Sequence, residues 1–283
     1  AGRNRLVFPV TQNQYVSTEC RAADQGHYVA EIGSLLQSKC EIGSFSAQIA
    51  SVGCTSATPG HFVSIEGATK QTVCSNGTFQ PEYGQSSCLN AEVGHFVSES
   101  DTSEQIPCHT GTYQNLVAMT SCIEADPGHH VPETGMTEQI ICAAGYYQFN
   151  SGQGTCRAAD PGHFVQISGL TEQTKCIEGW YQPSEGKAEC LQAEPGHFAS
   201  GIGSVTQTEC GLGTFQEWPV ASKCEAAHID HYVDTIGSIS QSPCSTGSSQ
   251  PLVGQSKCVW LFGVESPAIL FVSAGVIGIL SLI

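Results

Sequence analysis

The stretch CRAADPGHFVQISGLTEQTKCIEGWYQPSEGKAEC, residues 156–190, decides the architecture. It holds three cysteines, a Gly162-His163-Phe164-Val165 run and a Gly179-Trp180-Tyr181-Gln182 run. Close copies of it begin at Cys122 and at Cys190. Along the whole chain the cysteines fall at 20, 40, 54, 74, 88, 108, 122, 142, 156, 176, 190, 210, 224, 244 and 258, with gaps that alternate between 20 and 14. A fixed period of this size, kept without insertions, marks stacked supersecondary units rather than one fused core. Helical repeats of the same length are excluded, because these segments are rich in Gly, Thr, Ser and Pro where helices need Ala and Leu.

Each period has two halves on one theme. In the longer half three residues separate Val165 from Gly169, and in the shorter three separate Gln182 from Gly186. Both halves therefore place two glycines seven apart, with an aromatic residue two after the first. The pattern predicts a small β-hairpin in each half: an aromatic-bearing strand, a Gly-containing turn, and a returning strand that ends in Cys. The aromatic ring is expected to pack on a disulfide, and Gly to supply a backbone angle that a side chain forbids. The copies also share a Gln three residues before a cysteine, from Gln37 to Gln241, and a His at 27, 61, 95, 129, 163, 197 and 231.

Fifteen cysteines spread evenly through 283 residues point to an oxidising compartment, where disulfides replace a core that small units cannot build. No C-x-x-C pair of the kind a zinc site uses is present. The formal charge of −16 repels nucleic-acid phosphate and anionic lipid headgroups. A chain that opens on Ala1 is expected of a mature protein whose secretory signal has been removed.

The cysteines can pair across 14-residue or across 20-residue loops, each closing at roughly 3 kcal/mol. Residues 6–20, LVFPVTQNQYVSTEC, align with the shorter half so that Leu6 occupies a cysteine slot and Gln12 matches the shared Gln. That substitution favours Cys40–Cys54, Cys74–Cys88, Cys108–Cys122, Cys142–Cys156, Cys176–Cys190, Cys210–Cys224 and Cys244–Cys258, with Cys20 unpaired or joined to another chain. Under the other pairing Cys258 is the orphan. Residues 1–20 then form an N-terminal strand and degenerate capping half-repeat, residues 20–258 seven tandem repeats, and residues 259–283 a separate hydrophobic segment. The fold class expected is all-β: an elongated tandem array of disulfide-braced hairpins, followed by one C-terminal α-helix.

The run CSNGTFQPEYGQSSC at 74–88 resembles the cysteine-rich repeats of ephrin-receptor-like and TNF-receptor-like ectodomains. Its alternation with ADPGHFV looks like arrays in large microbial surface proteins. The resemblance covers about residues 20–258 and implies an extracellular disulfide-braced shaft. That family often has adjacent cysteine pairs, whereas this chain has two cysteines per period, so receptor-type ligand binding does not carry over.

After Cys258 the sequence turns to VWLFGVESPAILFVSAGVIGILSLI. Ser266 suits a helix cap and Pro267 its first turn. Sixteen residues from Ala268 make about 24 Å of helix, and adding Val259 to Val264 reaches across a hydrocarbon core of ~30 Å. Ala274, Gly275 and Gly278 give a small-residue face on which helices approach closely. A helix apolar all round must be buried, either in lipid or among copies of itself. No Lys or Arg follows to set a membrane topology, and the polar spacer of a cleaved lipid-anchor signal is missing.

Sites for chemistry are few. The seven histidines, most preceded by Asp24, Glu92, Asp126, Asp160 or Glu194, stand one to a repeat, so they do not converge on one ion. They read as turn residues bonded to local backbone or carboxylate. His228 with His231, and His129 beside His130, offer only two ligands each. Nucleophile elbow, phosphate loop and zinc-protease motifs are lacking, so neither an enzyme nor a cofactor is expected. The sequon Asn76-Gly77-Thr78 lies in a turn and is a glycosylation acceptor if the host uses it. The functional expectation is an extracellular structural subunit that polymerises with copies of itself through segment 259–283. The N-terminal run RLVFPV is expected to pair with a neighbour's sheet edge. A membrane-anchored adhesin or receptor stalk, held in lipid by the same segment, is the alternative.

Overall fold

In the computed structural model the described residues are 3–5, 20–31 and 34–260, with backbone alone for 3–5 and 20. They are all strand, turn and loop, with no helix among them. Val259–Trp260, expected to open the C-terminal helix, instead pairs as a returning strand with Ser248–Ser249, because it follows Cys258 as Leu191–Gln192 follows Cys190. His163–Phe164 pairs antiparallel with Thr174–Lys175, and Trp180–Tyr181 pairs in the same way with Leu191–Gln192. Each hairpin thus has two-residue strands joined by a long loop, too little to be stable alone. Arg3–Arg5 pairs with Cys20–Ala22 of the same chain.

The structural period is half the cysteine period. First strands begin at His27, Ser44, His61, Thr78 and His95, evenly spaced, and the two halves of each sequence repeat fold alike. In the longer half the returning strand Thr174–Lys175 ends directly before Cys176, as the pattern predicts. In the shorter half Cys190 comes before the returning strand Leu191–Gln192, which corrects the expectation that both returning strands end in Cys. The reason is that each disulfide joins the end of one hairpin to the loop of the next.

The chain divides into two compact units, one of residues 1–143, 147–157 and 168–171, the other of 144–146, 158–167 and 172–283. Within each, hairpins are bonded to the next hairpin and to the next but one. In the first unit Gly43 N donates to Val63 O at 2.8 Å and Gly67 N donates to Cys40 O at 2.8 Å. In the second, Gly179 N donates to Ala199 O at 2.8 Å and Gly203 N to Cys176 O at 2.7 Å. This ladder explains the glycine that opens each hairpin. Gly162 has a φ of +79°, and a Cβ there would lie 2.2 Å from the carbonyl oxygen of Gly203, two hairpins on. The backbone is packed too closely for any side chain.

The interior is thin and built from small groups. One buried site alternates Ala and Cys down the chain (Ala57, Cys74, Ala91, Cys108), each fully buried. A second alternates Val and Gln (Val63, Gln80, Val97, Gln114), also buried. Rings of the shorter hairpins pack on these sites: Phe45 against Ala57 and Val63, and Phe215 against Ala227 and Val233. Gln114 is buried yet satisfied, because its Nε2 donates to Ser121 O at 2.8 Å and its Oε1 accepts from Leu116 N at 3.0 Å. Gln80, Gln148, Gln182, Gln216 and Gln250 make the same pair of bonds. An amide that ties both ends of a loop in this way is buried with its oxygen and nitrogen both paired.

One hairpin opens without glycine. Asp230 sits at φ +61°, and its Oδ1 accepts from Gln250 N at 3.1 Å. At the equivalent point two hairpins earlier, Gln216 N donates to Ser238 O of the following hairpin. A Cβ at Gly213 would stand 2.1 Å from Gly254 O, so no carbonyl can approach Asp230 as Gly254 approaches Gly213. The Asp230 carboxylate takes over a donor that the ladder otherwise uses.

Candidate functional site

The recurrent polar and sulfur groups of the array form one device: the link between successive hairpins. Seven disulfides, Cys40–Cys54, Cys74–Cys88, Cys108–Cys122, Cys142–Cys156, Cys176–Cys190, Cys210–Cys224 and Cys244–Cys258, each close a 14-residue separation. They occupy every second link. At the links between, the shared Gln stands where the next hairpin has its loop cysteine: Gln173 precedes Cys190 by one hairpin module. Gln173 Oε1 accepts from Asp160 N at 2.7 Å and its Nε2 donates to Asp160 Oδ2 at 2.6 Å. Gln139 holds Asp126 and Gln105 holds Glu92 in the same two-bond grip, while Gln71 grips Thr58 and Gln241 grips His228. A covalent brace and an amide clip thus alternate along the chain.

This assigns the carboxylates that precede the histidines. Asp24, Glu92, Asp126, Asp160 and Glu194 face their Gln partners rather than the imidazoles. The histidines bond to local carbonyls instead, with His61 Nδ1 also 3.1 Å from Asp101 Oδ1. Nδ1 of His163 lies 3.2 Å from Pro161 O, and the rings at 27, 61, 95, 129, 197 and 231 make the equivalent contact at 3.0–3.3 Å. A carbonyl only accepts, so Nδ1 donates. His228 Nδ1 meets Gln241 Nε2 at 2.9 Å, and the His228 and His231 rings stand edge to face at 6.4 Å. His129 and His130 diverge: His130 Nδ1 turns to Cys156 Sγ at 3.1 Å.

An apolar groove of about 330 Å³ lies over Cys176–Cys190, walled by Phe164, Ile177 and Trp180 with Lys175 and Glu189 among its lining. The aromatic residue of this longer hairpin thus borders a disulfide. Trp180 holds a site that is Tyr146 in one other shorter hairpin and Ser44, Thr78, Thr112, Thr214 or Ser248 in the rest. At the sequon, Asn76 is exposed in a turn with its Nδ2 donating to Ser98 O at 2.8 Å, and Thr78 Oγ1 donates to Ser75 O at 2.7 Å. An attached glycan would take one of the two Nδ2 hydrogens and leave one N–H for the first of these bonds.

The cap slot at Leu6 and Gln12, the Cys20 side chain, and the assembly or anchor residues Pro267, Ala274, Gly275 and Gly278 lie outside the described residues. Among the described residues no helix is long and apolar enough to cross a membrane. The sequence reading missed the Gln clip. Its signal was there, in Gln and Cys alternating at one place in the hairpin frame, but a frame of two hairpins hides the equivalence. No protein-family model matches the chain, and no curated protein matches it. The seven disulfides belong to an oxidising environment.

Proposed function

We propose that the protein is an extracellular structural subunit: an elongated disulfide-braced array that polymerises with copies of itself into a surface filament. Segment 261–283 drives assembly as a hydrophobic helix buried among its equivalents, Val259 and Trp260 belonging to the last hairpin. The observation that carries this reading is the constancy of the ladder. The described hairpins repeat one set of bonds to their neighbours at one spacing, the replacement at Asp230 apart, with no loop lengthened in any copy. Binding surfaces are ordinarily elaborated by loop variation on a scaffold, whereas an unvarying pitch gives equivalent contacts to identical neighbours. Cysteine-rich repeats of the receptor-ectodomain kind are in keeping with a cell-surface setting. The reading gives the chain no catalytic role and no cofactor.

Negative-stain microscopy of the full chain purified without detergent tests this. Regular polymers of uniform width are expected. Monodisperse particles that need detergent to stay in solution would overturn it in favour of a membrane-anchored adhesin or stalk.

A further inference from the structure

One of the seven disulfides has a different neighbour. In six of the longer hairpins the second residue of the first strand is an aromatic: Tyr28, Phe62, Phe96, Phe164, Phe198 or Tyr232. In the remaining hairpin it is His130. Its Nδ1 lies 3.1 Å from Cys156 Sγ, and the imidazole nitrogen and both sulfurs of Cys142–Cys156 lie within 4.8 Å of one another. An apolar ring covers a disulfide without chemical effect, whereas an imidazole N–H beside sulfur donates to a thiolate and hastens its departure.

We propose that Cys142–Cys156 is the thiol-exchange site of the array, with low-molecular-weight thiols as its reactants and His130, whose Nδ1 stands beside Cys156 Sγ, as the group that stabilises that sulfur when it leaves. Cys142 is fully buried and Cys156 partly exposed, so the incoming thiolate meets Cys156. It attacks Cys156 Sγ and forms a mixed disulfide there, while the Sγ–Sγ bond breaks with its electron pair passing to Cys142. That thiolate takes up, through solvent, the proton lost when the incoming thiol ionised. A second molecule of the same thiol then attacks the mixed disulfide. It attacks the small-molecule sulfur and releases the oxidised small-molecule disulfide, and the electron pair of the broken bond stays on Cys156 Sγ, the thiolate beside His130 Nδ1. Two electrons enter the protein and two thiols are oxidised.

Access alone gives a different order. In Cys244–Cys258 both residues are partly exposed, whereas in the other disulfides one partner is buried. If access governed the rate, that bond would open first.

The test uses the folded full chain in limiting reduced glutathione, with timed alkylation and peptide mass spectrometry. Cys142 and Cys156 are expected to label first, about tenfold faster than the aromatic-covered pairs. His130→Phe, which restores the residue type of the other hairpins, should bring them to the common rate. Phe164→His, placed at the equivalent site over Cys176–Cys190, should raise that pair instead, and it keeps the proposal testable if His130→Phe fails to fold. Opening of Cys244–Cys258 first with Cys142–Cys156 among the rest, or rates unmoved by either substitution, would overturn it.

Discussion

At the residue scale the glycines separate into two kinds that the sequence writes identically. Gly162 and Gly237 both have positive φ, at +79° and +72°. A Cβ at Gly162 would strike backbone, whereas one at Gly237 would meet nothing within 4 Å. Ala50, Ala118 and Val220 already occupy the second kind of site at φ 58–64°, where only the left-handed conformation resists a side chain. Gly237→Ala should therefore cost about 1–2 kcal/mol. Gly162→Ala adds a steric clash that forces the ladder apart, for a total of about 3 kcal/mol or more. Thermal unfolding of the two variants checks this, and equal losses would mean that the close approach at Gly162 is absent. Periodicity made the need for glycine legible. It did not say which glycine faces another chain segment, because the partner of Gly162 is Gly203, brought near only by stacking.

At the scale of the element, what was legible followed from local pattern. The alternation of aromatic strand, glycine turn and return predicts hairpins, and hairpins are present. The links between them were legible only in part, since cysteine spacing left two pairings open and Leu6 was the one residue favouring the shorter. The amide clip escaped because Gln173 and Asp160, 13 residues apart, share no motif and become neighbours only when hairpins stack. The clip and the brace should differ in strength. Gln173→Ala removes two exposed bonds and should cost about 1 kcal/mol, with faster hydrogen exchange at the Asp160 amide. Replacing Cys176 and Cys190 together by Ser should cost about 2–4 kcal/mol. Hydrogen exchange and denaturant titration read both, and a clip variant as damaging as the disulfide variant would show the links to be equivalent.

At the scale of the whole molecule the interior holds no large aliphatic cluster among the described residues, and many Ile and Leu side chains stand outside. Leu89, Ile106, Ile123 and Ile140 occupy the same returning-strand site in four consecutive hairpins of the first unit, each 40–49% exposed. Exposed apolar groups recurring at a fixed pitch suit contact with an identical neighbour. The pair Ile106→Lys and Ile140→Lys should leave thermal stability unchanged while reducing the polymer fraction in sedimentation several-fold. An unchanged polymer fraction would remove this face from the assembly. The candidate assembly segment was legible only as composition, because an apolar run states that it must be covered and not by what.

The account rests on hairpins cross-linked at every second junction, and a non-reducing peptide map of natively isolated protein tests it most directly. It should yield seven linked peptide pairs, from Cys40 with Cys54 to Cys244 with Cys258, each 14 residues apart. Links across the longer cysteine gaps, or free thiols at these fourteen positions, would contradict it.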